Sequence, residues 1–469
     1  MFGVSVMGLA HIIATGLISG YLMLYITDYA GIYTGVIGKA ASVATLMLLI
    51  GRILDGLNSP LLGFVIDRGR QTRIGKFKPF MIGSTIASVA LIIALFNIPS
   101  GLPDVLKVVW MYVFYILFEV AYTFMPINPL IQSLTRDTDV RAKLLVASWI
   151  VTIIFSFLMS FFLIIAIALG PDGITPNIGL AVILFILPVT VLALLGITLV
   201  KEGTNGVEEE AVRFKDILTM LKVNKPLLVS LLAQVFSGFV FILVQVTMTY
   251  YLKYAFGAEN LGTMSMLAGT VMISAILLAT FLAQYLLKVL SPGVLMILAY
   301  AGSAIPLLIL WAINLAGPIT SKGLLIPLLA LFFLANSLAH LPVGVISMEC
   351  MDYNRLKIGK SMQGMINALG QLVSKIQSGL GAAVVGAILV GVGYDAASYQ
   401  DSATIPAALF NGLGMANFLF PALFALAAGL VMSFYPLLRR SQREQVYARI
   451  ARMDQAGSSL SAEEPDEGV

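Results

Sequence analysis

Stretches of about twenty residues with scarcely a charge recur along the whole chain, each long enough to cross a hydrocarbon core of about 30 Å as a helix. The runs lie at 5–26, 40–65, 79–98, 106–133, 144–169, 177–200, 226–252, 262–287, 293–315, 322–348, 364–394 and 406–437. In lipid, backbone N–H and C=O groups must be satisfied by the chain itself, and runs of this length and continuity do so as helices. Charged residues make up 11% of the chain and mean hydropathy is +0.96, whereas a soluble domain averages about 25% charged. The expected fold class is therefore an all-α integral membrane protein with twelve transmembrane helices. The first run, MGLAHIIATGLISGYLMLYI, begins almost at once and shows no small-residue cleavage site, so its helix is expected to be retained.

The polar stretch 201–225 contains the run Glu208-Glu209-Glu210 and the amphipathic piece RFKDILTMLK, and it separates the first six runs from the last six. The expected units are a bundle over 1–200, a linker over 201–225, a second bundle over 226–438 and a tail over 439–469. Most Lys and Arg fall in alternate loops, in the linker and in the tail. The opposite loops carry only Lys39, Lys107, Lys253 and Lys322, with Arg52 and Lys375 left inside runs. This asymmetry puts both termini in the cytoplasm and favours an even number of spans. The net charge of +4 thus reflects membrane orientation and gives no reason to expect nucleic acid. Cys350 is the lone cysteine, which excludes an intrachain disulfide and a cysteine-built metal site. No H-E-x-x-H, G-x-S-x-G or P-loop is present, which disfavours an embedded protease, an esterase or an ATP-driven pump.

The second run carries the chemistry. Arg52, Asp55, Asn58 and Ser59 follow one another at helical spacing and share one face. Asp55 stands twelve residues before Asp67, roughly 18 Å along a helix, hence near the membrane midplane. An ionisable group there costs at least about 2.5 kcal/mol and is kept when it faces a cavity, a partner or an ion. An Arg52–Asp55 structural pair is the plainer alternative. In the eleventh run Gln363, Asn367, Gln371, Ser374, Lys375 and Ser378 form a polar stripe that must face a cavity or another helix.

The string RILDGLNSPLLG followed by RIGKFKPF resembles the hallmark of the glycoside-pentoside-hexuronide:cation symporters. MECMDYNRLKIGKSMQG, SKIQSGLGAAVVGAILVGVGY, YTFMP and LTRDTDVRAKL fit the same family in order. Gly63 with Asp67, Arg68 and Arg70 also resembles the loop signature of the wider major facilitator group, whose architecture is two six-helix bundles around a polar linker. The resemblance implies a secondary transporter working by alternating access. It places a cation or proton site at Asp55, Asn58, Ser59 and Thr123. The second acid of the family's pattern is Ser59 here, which weakens a sodium site or shifts coupling to protons, since a hard cation wants several oxygens and compensating charge. Glu119, one turn before Thr123, is the candidate replacement.

At the family's sugar site the charged partners are replaced by Ile12, Pro126 and Trp149 and a tryptophan by Leu130, while Lys375 keeps a functional lysine and His11 stands where the family pattern has a lysine. Fewer charged partners imply a less polar solute, such as an aromatic or polycyclic compound, although Trp149 stacking on a sugar ring keeps glycosides in view. Gln363, Asn367 and Gln371 join the cavity lining. Glu349, Asp352 and Arg355, with Asp67, Arg68, Arg136 and Arg141, are expected to form ion pairs between the halves that close the cytoplasmic side. His340, like His11, is expected to be a packing residue or a proton-linked group. No cofactor is expected beyond Na+ or H+ as coupling ion. The partners are a small-molecule solute and membrane lipids, and a monomer is expected. A uniporter, a lipid flippase and a transport-incompetent sensor are the alternatives on the same scaffold.

Overall fold

The computed structural model describes residues 2–33, 39–51, 54, 72–134, 138–202, 214–358, 363–391, 394, 407–439 and 441–449. Among them eleven helices are long and apolar enough to cross a membrane, and the shorter apolar helix Lys39–Gly51 falls where the remaining run begins. The helices in chain order are α1 Phe2–Leu22, α2 Lys39–Gly51, α3 Lys78–Leu95, α4 Asp104–Thr123 and α5 Ile127–Leu134. They continue with α6 Thr138–Met159, α7 Phe162–Ala168, α8 Ile178–Leu199, α9 Phe214–Val223 and α10 Lys225–Phe256. The remainder are α11 Leu261–Val289, α12 Pro292–Asn314, α13 Lys322–Ser337, α14 His340–Ile358, α15 Gln363–Gly391 and α16 Ala407–Ser433. Among the described residues the β content is one isolated bridge, Thr72 to Gly75.

Four expected spans are broken, the first of them, 5–26, by a turn at Met7 and Gly8. The run 106–133 divides into α4 and α5 at Pro126, which has no N–H to donate and biases the residue before it away from helix. The run 144–169 divides between α6 and α7, and 322–348 between α13 and α14. The first helix runs on past Leu17 through two π-helical turns, Ile18–Leu22 and Tyr25–Tyr29.

Helix starts are closed by side chains, because the first amides of a helix have no partner within it. Asn177 accepts from the Leu180 amide at 3.1 Å, and Asn224 from the Leu227 amide at 3.0 Å. The Glu202 carboxylate, beyond α8, takes the Lys76 and Phe77 amides at the start of α3, each at 2.9 Å. These contacts define one end of the bundle, where the start of α1 packs on the end of α8 so closely that a side chain at Gly3 would meet the Gly196 carbonyl at 2.8 Å. At this terminal end Asn224 also donates to the Cys350 carbonyl at 2.8 Å. At the opposite, distal end Lys107 donates to the Gly31 carbonyl at 3.0 Å and Tyr251 to Asn314 at 2.7 Å.

Helices of the first six runs meet helices of the last six along glycine seams. A Cβ at Gly262 on α11 would stand 2.9 Å from the Ile164 Cα on α7, and one at Gly386 on α15 would collide with the Thr45 side chain on α2. The buried core includes Tyr115, Phe118, Phe162, Phe332 and Phe418, drawn from both groups. Leu184, Leu187, Val191 and Leu195 form an exposed stripe down one side of α8. On a soluble protein that stripe would invite aggregation, but on a membrane helix it is the lipid face.

Candidate functional site

Between the two groups of helices lies a chamber of about 400 Å³. Its walls come from α1 (Ile12, Gly16, Gly20, Tyr21), α6 (Ile153, Ser156, Met159), α10 (Phe241, Gln245, Met248, Thr249, Leu252) and α11 (Ser265, Met272, Ile276). Phe333 of α13 and His340 of α14 complete it, with Ser160 between α6 and α7. Gly20 and Tyr21 sit in the π-helical turn of α1, an irregularity that often accompanies function. No Cβ projects from Gly20, and nothing stands within 4 Å of where one would be, so the backbone itself forms that wall. The described lining is apolar apart from neutral groups, chiefly Tyr21, Ser156, Gln245, Thr249 and His340. Among the described residues, no carboxylate, lysine or arginine lines it. Such a surface receives a neutral solute by shape and a few hydrogen bonds.

Of the residues expected at the solute site, Ile12 lines the chamber. His11 stacks on Tyr122 of α4, rings 3.3 Å apart and 6° from parallel, as a packing residue does. Pro126 and Leu130 do not line the chamber. The break at Pro126 turns the chain into α5, and Leu130 is fully buried in a terminal-end cluster with Val4, Met7 and Met81. The helices carrying Arg141, Trp149, Gln363, Asn367, Gln371 and Lys375 are described, but those side chains fall outside the described set. Arg52, Asp55, Asn58, Ser59, Asp67, Arg68 and Arg136 lie outside the described residues altogether.

Sequence reasoning passed over Tyr21, Ser156, Gln245 and Thr249. Gln245 carried a usable signal, being a lone amide in the apolar run FILVQVTMTY. His340, expected to pack or to carry a proton, is part of the chamber wall.

Glu119 on α4 is 1% exposed, and the Thr123 hydroxyl one turn on donates to its backbone carbonyl at 2.7 Å. One turn before Glu119, Tyr115 packs against Gly51 at the described end of α2, so tightly that a Cβ at Gly51 would overlap the ring. Glu119 and Thr123 therefore stand one and two turns along α4 from a point of contact with the helix that leads into the Asp55 segment. Among the described residues no group of three His, Cys, Asp or Glu is arranged to hold a metal.

At the terminal end Glu349, 1% exposed at its side chain, is held by the Arg443 guanidinium at 2.5 Å and by the Tyr435 hydroxyl at 2.9 Å. Both partners belong to the same half of the chain. Among the described residues, the partners of Glu349 are thus Tyr435 and the helix at 441–449, while the expected partners in the first half fall outside the described set. Asp352 and Arg355 lie one turn apart on α14.

A chamber between two helical bundles, reached by broken helices and lined from both, defines a secondary transporter of the major facilitator type. Residues 3–439 match the family described as MFS/sugar transport protein, and the chain belongs to it. The isoprimeverose transporter of Lactiplantibacillus pentosus is 26% identical over 425 residues, covering 87% of this chain and 84% of that one. The raffinose carrier protein of Pediococcus pentosaceus is 26% identical over 456 residues, covering 93% and 69%. Among solved structures, a D-xylose-proton symporter superposes with a TM-score of 0.65 at 16% identity, covering 92% of this chain and 96% of that chain. An inward-facing, occupied bacterial homologue of the human lysosomal transporter Spinster gives 0.65 at 13%, covering 94% and 97%. The glycoside-pentoside-hexuronide symporter assignment drawn from the two long motifs is borne out, as is transport by alternating access.

Proposed function

We propose that the chain carries a small neutral glycoside with a substantial apolar face, driven by a cation or proton bound around Asp55. The observation that carries this reading is the described part of the chamber wall, where apolar side chains predominate and the polar groups are uncharged. Hydroxyls buried without partners are expensive, so a solute matched to this wall exposes few of them to it and lays a ring face on the rest. The named relatives carry sugars and glycosides, which supports the class.

The coupling centre combines Asp55 with Asn58, Ser59, Thr123 and Glu119. Supporting it, α2 and α4 touch at Gly51 and Tyr115, and Asp55 and Glu119 each follow four residues on in sequence. Glu119 then supplies the negative charge that Ser59 does not. The oxygen-rich set suits Na+, and the carboxylates suit a proton. The Lys and Arg distribution puts the terminal end in the cytoplasm and the distal end outside, in the cell membrane.

The test is uptake into proteoliposomes of a panel of glycosides, from free disaccharides to aryl glycosides, under a sodium gradient, a proton gradient or neither. Accumulation of an apolar glycoside under one gradient is expected. Preference for charged sugars would overturn the solute assignment, and uptake indifferent to both gradients would make the chain a uniporter.

A further inference from the structure

At the distal end a charged contact crosses between the halves. Asp28, in the π-helical turn that extends α1, receives the Lys253 ammonium from the last turn of α10. The same carboxylate accepts from the Tyr394 hydroxyl at 2.8 and 3.0 Å and from Thr27 Oγ1 at 2.5 Å. The Thr27 hydroxyl in turn meets Tyr250 at 2.9 Å, and Tyr394 meets Tyr254 at 2.9 Å. The Lys253 ammonium also lies over the rings of Tyr29 and Tyr254, at 5.6 and 5.3 Å. The side chains of Asp28 and Lys253 are 1% and 14% exposed, which makes this a nearly dry ion pair.

The network is also a roof. Leu252, immediately before Lys253 on α10, and Thr249, one turn before it, line the chamber below. We propose that Asp28, Lys253 and Tyr394 form a latch between the halves that shuts the distal mouth of the chamber and must break whenever the chamber opens on that side. A buried ion pair suits this work. Its desolvation cost nearly offsets its attraction, so the closed state is specified without being trapped, whereas loss of one partner strands a buried charge and strongly disfavours closure. The aromatic rings around the pair exclude water while the halves are together and leave both ions hydrated once they part.

The proposal rests on alternating access and on the distal end facing outward. In a Cys350→Ala background, Thr249→Cys reports access to the chamber and Ser100→Cys, in the α3–α4 connection, reports sidedness and surface amount. Intact cells are treated with a membrane-impermeant maleimide. Ser100→Cys is expected to label, and Thr249→Cys to label slowly. Adding Asp28→Asn or Lys253→Met should speed Thr249→Cys labelling on the order of tenfold, the signature of a shifted two-state population. Tyr394→Phe should raise it less. The exchanged pair Asp28→Lys with Lys253→Asp should return it to the slow rate. Labelling unchanged in a single variant that reaches the membrane, or an exchanged pair as fast as the singles, would overturn the latch. Should Asp28→Asn not reach the membrane, Lys253→Met and Tyr394→Phe read the same quantity. A Ser100→Cys that reacts only in inverted vesicles would overturn the orientation instead, and the latch is then judged by the same rates from that side.

Discussion

Gln245 places a neutral amide on a wall otherwise built largely from Phe241, Met248 and Leu252, so it is the natural partner for a solute hydroxyl. Gln245→Leu should raise KM for an accepted glycoside roughly fivefold, the worth of about 1 kcal/mol in one neutral hydrogen bond. An unchanged KM would remove Gln245 from the solute's contacts. Glu119 makes a different kind of prediction, because the charge assigned to it acts on the ion. Glu119→Gln should change cation dependence with little effect on solute affinity, read by titrating uptake against sodium and pH. An effect on solute KM alone would place Glu119 outside the coupling centre. At this scale the legible signal is a polar residue interrupting an apolar run, which singles out Asp55 and Glu119 as candidates and equally marks Gln245 on the chamber wall. The sequence could not convey how the chain turns at Pro126, which carries Leu130 into the terminal-end cluster. It was silent on Asp28 and Lys253, which read as ordinary loop-end charges until the fold joins positions 225 residues apart.

Among the elements, α7 and α11 are the pair whose approach is set most plainly by one residue. The space at Gly262 is already taken by the Ile164 backbone, which cannot swing aside as a side chain would. Gly262→Leu should therefore cost about 1–3 kcal/mol by overpacking, visible as a lower melting temperature in detergent, while Gly323→Ala in open space at the start of α13 should leave it within error. Equal melting of the two variants would deny that this seam is closely packed. The helix at 441–449 is tied to α14 through Arg443 and Glu349. Arg443→Met leaves a buried carboxylate without its cation, so it should destabilise the protein more than the double change with Glu349→Gln, an order that a melting series checks directly. The spans themselves were legible because hydropathy registers length in lipid. The breaks at Pro126, Ser160 and Leu338 were not, since a sliding apolar run looks the same whether one helix or two traverse it.

At the scale of the whole molecule, two helical groups meet along glycine seams, enclose a chamber whose described lining is uncharged, and are pinned at the distal end by a buried ion pair. Closure on one side and a chamber reached by both groups are what alternating access requires. The family and fold assignment rested on long motifs spread from the second run to the eleventh, and sequence order alone preserves those. The central claim joins this architecture to an ion at Asp55. Proteoliposomes holding either the parent protein or Asp55→Asn, given an accepted glycoside and an imposed sodium or proton gradient, test it most directly. The parent should accumulate solute above the outside concentration, while Asp55→Asn should exchange internal for external solute and accumulate none. Uphill accumulation by Asp55→Asn equal to the parent's would contradict the account.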